Sequence, residues 1–276
     1  MPPEVDLYDN AYGNYDAEVY RQIRIESYGE DLGQTSWVTT EESAQIIRML
    51  QLSAASYVLE IGSGSGRYAL QVASTVGCRV IGIDTNQPGI RTANQLASAQ
   101  DLAGRVRFEH SDAAKPLAFS DATFDSAFSN DVLCHVPGRT SVLRELFRVL
   151  KPGGRLLFSD ALVVGGIISH EEIARRSSIG YYLFSPPGEN ERALEEAGFA
   201  ILNVSDTTAN ASLIASRWHD AREKRAEELK RMEGRANFEG LQQFLTTVYT
   251  LTKERRLLRR LYLAERPSEP RAAVAE

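Results

Sequence analysis

A chain of 276 residues, 43% hydrophobic and 25% charged, is long enough for one large domain with insertions or for two small ones. A formal net charge of −6 and the absence of any sustained Lys/Arg run argue against nucleic acid as a partner, since that affinity rests on neutralised phosphates. Only two cysteines occur, Cys78 and Cys134, both in apolar surroundings, which argues against a disulfide framework and a structural zinc site; no metal is expected.

In chain order, the opening MPPEVDLYDN has no basic stretch followed by an apolar run, and no later segment reaches membrane-spanning length. A cytoplasmic location without membrane contact is therefore expected. Residues 5–37 are polar and rich in tyrosine, with a helical pattern over 17–27 and a loop after it. Thr39 and Glu42 form a capping-box spacing that opens a helix carrying Ile46, Ile47 and Leu50 on its apolar face. The chain then alternates: strands are predicted at 57–61, 79–83, 106–110, 124–129 and 154–160, helices at 66–75, 89–103 and 140–150. Apolar strands separated by helices of this length predict βαβ units and a buried parallel sheet. Beyond Asp160 the pattern predicts helices at 169–179 and 189–197, a strand at 199–206, a long charged helix at 209–232, a helix at 238–252 and a last strand at 258–264. The whole reads as an α/β fold, a Rossmann-like, mostly parallel seven-stranded sheet with helices on both faces. Residues 1–45 form a helical cap, 46–165 the core, and 166–267 a substrate-side region; 268–276 form a flexible tail. The helical insertion at 209–252 is either a solvated, charge-laced hairpin or a lid with Trp218, Leu229, Phe244 and Tyr249 toward a ligand.

The most informative stretch is VLEIGSGSGRYAL, where a strand runs through Gly62, Gly64 and Gly66 into a helix. The dinucleotide fingerprint needs its third glycine at position 67, which is Arg67; a phosphate loop needs Gly-Lys-Ser/Thr, also missing. Glu60, two residues before the first glycine, would repel a pyrophosphate but suits a cationic amine. Asp84 ends the next strand, where an acidic side chain takes ribose hydroxyls. Carboxylates at both positions point to a ligand with a ribose, an ammonium and no phosphate, a description that S-adenosylmethionine fits.

Residues 57–160 resemble the cofactor half of class I S-adenosylmethionine-dependent methyltransferases. The resemblance runs through ExGxGxG at Glu60 to Gly66, the acidic strand end at Asp84, Asp112 in FEHSDA, the segment FDSAFSNDVLCHVPG and the block LRELFRVLKPGGRLLFSD. It implies that the three glycines let the backbone approach the methionine portion of the cofactor. It further implies that Glu60 reaches the amine, Asp84 and Thr85 the ribose, Asp112 and Ala113 the adenine edge, and that Asn130 lies beside the methionine portion. The preceding YGEDLGQTSWVT is similar to a stretch in the small-molecule branch of these enzymes, those acting on glycine derivatives, phosphoethanolamine and natural-product scaffolds. There it folds over the cofactor, which brings in Tyr28, Gln34 and Thr35. Tyr20 and Tyr28 either present ring faces to the sulfonium or pack the N-terminal helix on the core.

Methyl transfer is an in-line displacement that needs an aligned nucleophile and, for some acceptors, a base. His135 is the leading base because imidazole titrates near neutral pH, and its spacing from Asp131 resembles that in the phosphoethanolamine enzymes. Asp160 orients His135, holds a substrate cation, or only ends a strand. Arg175 and Arg176 lie on a helix facing either a ligand or solvent, and nothing resembles a phosphate-binding set. The expected partner is a small-molecule methyl acceptor bearing an amine, hydroxyl or carbon nucleophile, in a monomer or a homo-oligomer. Two other readings stay open: an NAD(P)-dependent oxidoreductase, and a non-catalytic member that keeps the cofactor site.

Overall fold

The computed structural model describes residues 5–31 and 33–268, so the expected tail at 268–276 lies, apart from Ser268, outside the described residues. Two helices lead, α1 (Tyr8–Gly13) and α2 (Glu18–Tyr28), followed by α3 (Thr40–Met49). The core then runs β1 (Tyr57–Ile61), α4 (Arg67–Val76), β2 (Arg79–Asp84), α5 (Gln87–Ala99), β3 (Val106–His110), β4 (Phe124–Ser129), α6 (Arg139–Val149) and β5 (Leu150–Val164). After it come α7 (His170–Arg176), α8 (Glu189–Glu196), β6 (Ala200–Asp206), α9 (Thr208–Glu223), α10 (Ala226–Glu233), α11 (Arg235–Lys253) and β7 (Leu257–Glu265). The seven strands form one sheet in the order β3-β2-β1-β4-β5-β7-β6, parallel except for β7, which runs antiparallel to both neighbours.

Strand periodicity explains the layers. On β1, Leu59 and Ile61 point to one face, where they pack with Leu143 and Leu146 of α6 and Leu194 of α8. Val58 points to the other face, with Ile46 of α3, Leu70 of α4 and Ile90 of α5. A third apolar cluster joins Ile23 and Tyr28 of α2 to Trp37, to Trp218 of α9 and to Phe244 of α11. The N-terminal cap and the late helices therefore share one core.

Three expected elements come out differently. α6 stops at Val149 and β5 begins at once with Leu150, before the glycines. Pairing with β4 jumps from Phe124–Leu150 to Ser126–Arg155, so Lys151 to Gly154 bulge out of register, with Gly153 at φ 78° and bonded to the Arg266 carbonyl. The single long helix at 209–232 breaks at Lys224 and Arg225, whose side chains reach Glu26 of α2, and α10 folds back so that Glu233 meets Arg222. α1 was not expected at all; it is a six-residue helix, too short for periodicity to register. Among the described residues no helix is long and apolar enough to cross a membrane.

Candidate active site

The carboxyl ends of β1 and β4 open onto a cavity of about 290 Å³. Its floor is the turn at residues 62–66. Gly62 and Ser63 donate backbone N–H groups to the Ile83 carbonyl, at 2.8 and 3.0 Å, and Gly66 donates to Ser63 at 2.7 Å. Gly62, Gly64 and Gly66 take φ of 74°, 51° and 80°, a region that disfavours a side chain, and a Cβ would strike Val132, Tyr12 and Phe108 respectively. Asp84 secures the turn by accepting the Gly64 N–H at 2.8 Å and the Asn86 N–H at 2.7 Å. Burial raises its pKa, and those N–H groups hold the rise back. Glu60 lies under the turn, 1% exposed, with Oε2 lacking a hydrogen-bond partner. Burial, then the nearby Asp84, pushes its carboxyl well above the usual range, against a hydrogen bond from the Ala69 N–H.

The roof is the N-terminal arm. Tyr12 of α1 shares a hydrogen bond with Thr35 (2.9 Å), and Asn86 donates to Asp9 (2.7 Å), tying α1 to the start of α5. Gln34, Thr35 and Trp37 line the same wall, and Ser65 donates to the Gly33 carbonyl at 2.9 Å.

Beyond the glycine turn, Asn130 and Asp131 follow the end of β4, and a 3-10 turn (Leu133–His135) carries His135 to the cavity. Its Nδ1 lies 3.1 Å from the Tyr181 carbonyl and its Nε2 3.1 Å from the Tyr8 hydroxyl. A carbonyl only accepts, so Nδ1 carries the proton and Nε2 accepts from Tyr8. Burial, reinforced by the positive charge of Arg176, lowers the imidazole pKa to about 4. Arg176, the last residue of α7, is 1% exposed and lies over the rings of Tyr182 and Phe244, 4.3 and 5.1 Å from their centroids.

Asp131 lines the cavity, yet its oxygens are taken. Oδ1 accepts from Ser159 (2.9 Å) and from Arg259 Nε (2.8 Å), and Oδ2 from the Trp37 N–H (2.9 Å). Arg259 also holds Glu42 at 2.7 Å. Asp160 does not line the cavity: it is fully buried, paired with Arg139 at 2.9 Å, and accepts from Asn190 and the Leu162 N–H.

Of the residues expected from the sequence, Gln34, Thr35, Gly62, Asp84, Thr85, Asn130, Asp131 and His135 line one cavity, whereas Glu60, Gly64 and Gly66 lie in or under its glycine turn without lining it. Others lie elsewhere. Tyr20 donates to Glu233 at 2.8 Å, and Tyr28 donates to the Ser36 carbonyl at 2.9 Å; both pack the arm on the core. Asp112 caps its own turn through the Ala114 N–H, Ala113 is buried beside it, and neither lines the cavity. Asp160 serves Arg139, not His135. Of the expected lid residues only Phe244 lines the cavity, whereas Tyr249 is exposed. Sequence reasoning missed Tyr8, Tyr12, Tyr182 and Arg259. The orientation of Arg176 had a signal: Arg175 pairs with Glu171 four residues before it, marking the solvent side and turning its neighbour inward.

A sequence profile described as a methyltransferase domain matches residues 59–158. The chain is 32% identical over 206 residues to the 27-O-demethylrifamycin SV methyltransferase of Amycolatopsis mediterranei, covering 70% of this chain and 75% of that one. This chain belongs to the S-adenosylmethionine-dependent methyltransferases. The methyltransferase also shares its fold with phosphoethanolamine N-methyltransferase 2 of Haemonchus contortus in complex with S-adenosyl-L-methionine (TM-score 0.76, 22% identity, 93% of this chain and 60% of that one). The [4+2]-cyclase SpnF has the same fold (TM-score 0.72, 20% identity, 97% and 98%). The enzyme acts on small molecules and uses S-adenosylmethionine as methyl donor. The residues fit that donor: the buried atoms without partners at the glycine turn are Glu60 Oε2, Ser63 Oγ, the Asn130 amide and Arg67 Nε. Acceptors and donors left open side by side suit a ligand that ends in both an ammonium and a carboxylate. A nicotinamide dinucleotide would instead bring a pyrophosphate against Glu60.

Proposed function

We propose that this methyltransferase transfers its methyl group to a hydroxyl oxygen of a small metabolite, with Tyr8 and His135 flanking the reacting oxygen. The observation that carries the reading is the hydrogen-bonded chain Tyr8 O–H to His135 Nε2, and Nδ1–H to the Tyr181 carbonyl, in the same cavity as the glycine turn. The donor supplies a methyl on a positively charged sulfur. Glu60, Asp84 and Asn130 would hold it, the ammonium toward Glu60 and Asn130, the ribose hydroxyls toward Asp84. Tyr8 and Tyr12 cover the cavity and exclude water, which strengthens every charge interaction inside it.

His135 is neutral throughout the physiological range, so it accepts rather than donates at Nε2. A proton from the acceptor passes through the Tyr8 oxygen to Nε2 while Nδ1–H stays fixed on Tyr181. A base whose pKa lies near 4 serves only a hydroxyl that is itself acidic. Two unpaired, buried thiols, Cys78 and Cys134, agree with a reducing, cytoplasmic setting. The arm covers the cavity of its own chain, so the reading requires no second subunit.

The test is a turnover assay with methyl-labelled S-adenosylmethionine and a panel of matched phenols, enols and amines, with binding of S-adenosylhomocysteine measured separately by calorimetry. Label on oxygen is expected. Label on nitrogen alone would overturn the hydroxyl assignment, and cofactor binding without turnover on any acceptor would favour a different reaction, as in SpnF.

A further inference from the structure

Arg176 is a buried cation without a counter-ion among the described residues. It is 1% exposed, lines the cavity beside His135, and makes no ion pair with a carboxylate among the described residues. Its Nε and Nη1 have no hydrogen-bond partner. Burying a charge without a partner is costly, and stacking on two rings returns only part of that cost. The buried carboxylates on this side are committed elsewhere, Asp131 to Arg259 and Asp160 to Arg139.

The titratable groups around it leave the charge standing. Tyr182, under the guanidinium, is pushed up to about 12 by burial, and burial likewise raises the Tyr8 hydroxyl well above its ordinary value. Cys134 is raised by burial and by Asp160 and Asp131. His135 is neutral. Each of these groups is uncharged near pH 7, so none of them offsets the guanidinium, whose Nε and Nη1 donors face the cavity without a partner. The sulfonium of the donor adds a second positive charge to the same enclosure.

We propose that Arg176 forms an oxyanion subsite, and that the methyl acceptor is an acidic hydroxyl compound, a phenol or enol, bound through its ionised oxygen. This rests on the methyl-transfer reading above and narrows its acceptor class. The hydroxyl proton passes through the Tyr8 oxygen and His135 Nε2 and on to water as the acceptor binds, which returns His135 to its neutral form. The oxyanion then supplies the electron pair for the new O–CH3 bond, the C–S bond breaks, and its pair stays on sulfur as the neutral thioether. Charge is lost on both sides of the reaction, and the guanidinium remains as the fixed cation that selected the anion.

The probe is 4-nitrophenol, whose ionised form absorbs in the visible, titrated against the full-length protein saturated with S-adenosylhomocysteine. The expected result is that bound 4-nitrophenol ionises at a pH at least one unit below the free compound, and that the neutral isostere 4-nitroanisole binds at least tenfold more weakly. Arg176→Met should abolish both differences, and Arg176→Lys should restore part of the shift while binding S-adenosylhomocysteine as wild type does. The proposal is overturned if the ionisation does not shift, if Arg176→Met keeps the preference, or if 4-nitrophenol does not bind at 10 mM. It is equally overturned if Arg176→Lys and Arg176→Met both lose S-adenosylhomocysteine, which would give the guanidinium to the donor's carboxylate. Benzoate preferred over benzamide with 4-nitrophenol unshifted would assign Arg176 to a carboxylate away from the reacting oxygen and also overturn it. Wild-type protein that fails to bind S-adenosylhomocysteine would remove the cofactor reading instead, and the two failures are distinguishable because that binding is measured first.

Discussion

Replacing Arg259 by methionine should be one of the most damaging single changes in the molecule. The guanidinium is fully buried and serves two carboxylates at once, Asp131 at 2.8 Å and Glu42 at 2.7 Å, with a further bond to Thr207 at 2.8 Å. Methionine fills most of the volume and removes all the charge. Asp131 would keep Ser159 and the Trp37 N–H, and Glu42 would keep Asn210, so neither oxygen pair is left bare. Stranding one partner of a buried pair costs about 3–5 kcal/mol; two stranded carboxylates with surviving hydrogen bonds place the loss in the same range. Urea unfolding followed by tryptophan fluorescence reads it directly, because Trp37 and Trp218 are both buried next to the network. Against a typical stability of about 5–15 kcal/mol, the midpoint should fall by about a fifth or more. Asp131 also fixes the Trp37 backbone, so affinity for S-adenosylhomocysteine should drop as the wall at residues 34–37 loosens. A stability loss under about 1 kcal/mol would refute the claim that this arginine holds the site together.

Other outcomes follow from the same geometry. Gly64→Ala forces a side chain at φ 51° and against the Tyr12 hydroxyl; it should cost about 1–2 kcal/mol and weaken S-adenosylhomocysteine binding at least tenfold by calorimetry, and unchanged binding would detach Tyr12 from the closed site. Tyr8→Phe removes the hydroxyl that holds Nε2 of His135; kcat should fall about tenfold with cofactor affinity intact, and a wild-type kcat would take Tyr8 out of the reaction. His135 has its pKa depressed from 6.5 to about 4, so the folded state binds fewer protons than the unfolded state between those values. Stability from this group is complete above pH 6.5 and is lost as pH falls toward 4, by at most about 1.4 kcal/mol per pH unit. Urea titrations should show a steeper loss for wild type than for His135→Gln across that window, and parallel curves would contradict the burial of the imidazole.

Sequence reasoning reached the sheet and the floor of the site because both are written in local signals. Strand runs such as residues 57–61 and the glycines at 62, 64 and 66 announce themselves through apolar pattern and required backbone angles. The parts it missed depend on long-range partners. Tyr8 lies 127 residues from His135, and Arg259 lies 217 from Glu42, distances at which no spacing rule operates. Asp160 shows the converse: it stands at a strand position rich in function elsewhere, yet Arg139 and Asn190, supplied by α6 and α8, claim it for the core. Tyr20 and Tyr28 were indistinguishable in sequence from Tyr8 and Tyr12; only the helix each occupies and the direction it faces separate roof from packing.

The place of β7 in the sheet bears on how the protein is made. The last of the seven strands in chain order is not an edge but the middle partner between β5 and β6, and it delivers Arg259 to Glu42 and Asp131, which lie far upstream. Until residues 257–265 emerge, β6 has no neighbour and two acidic groups face each other without their cation. The wall at residues 34–37 can therefore close only after residues 257–265 have paired, so a chain cut upstream of this strand should be material for proteolysis, not a smaller working enzyme.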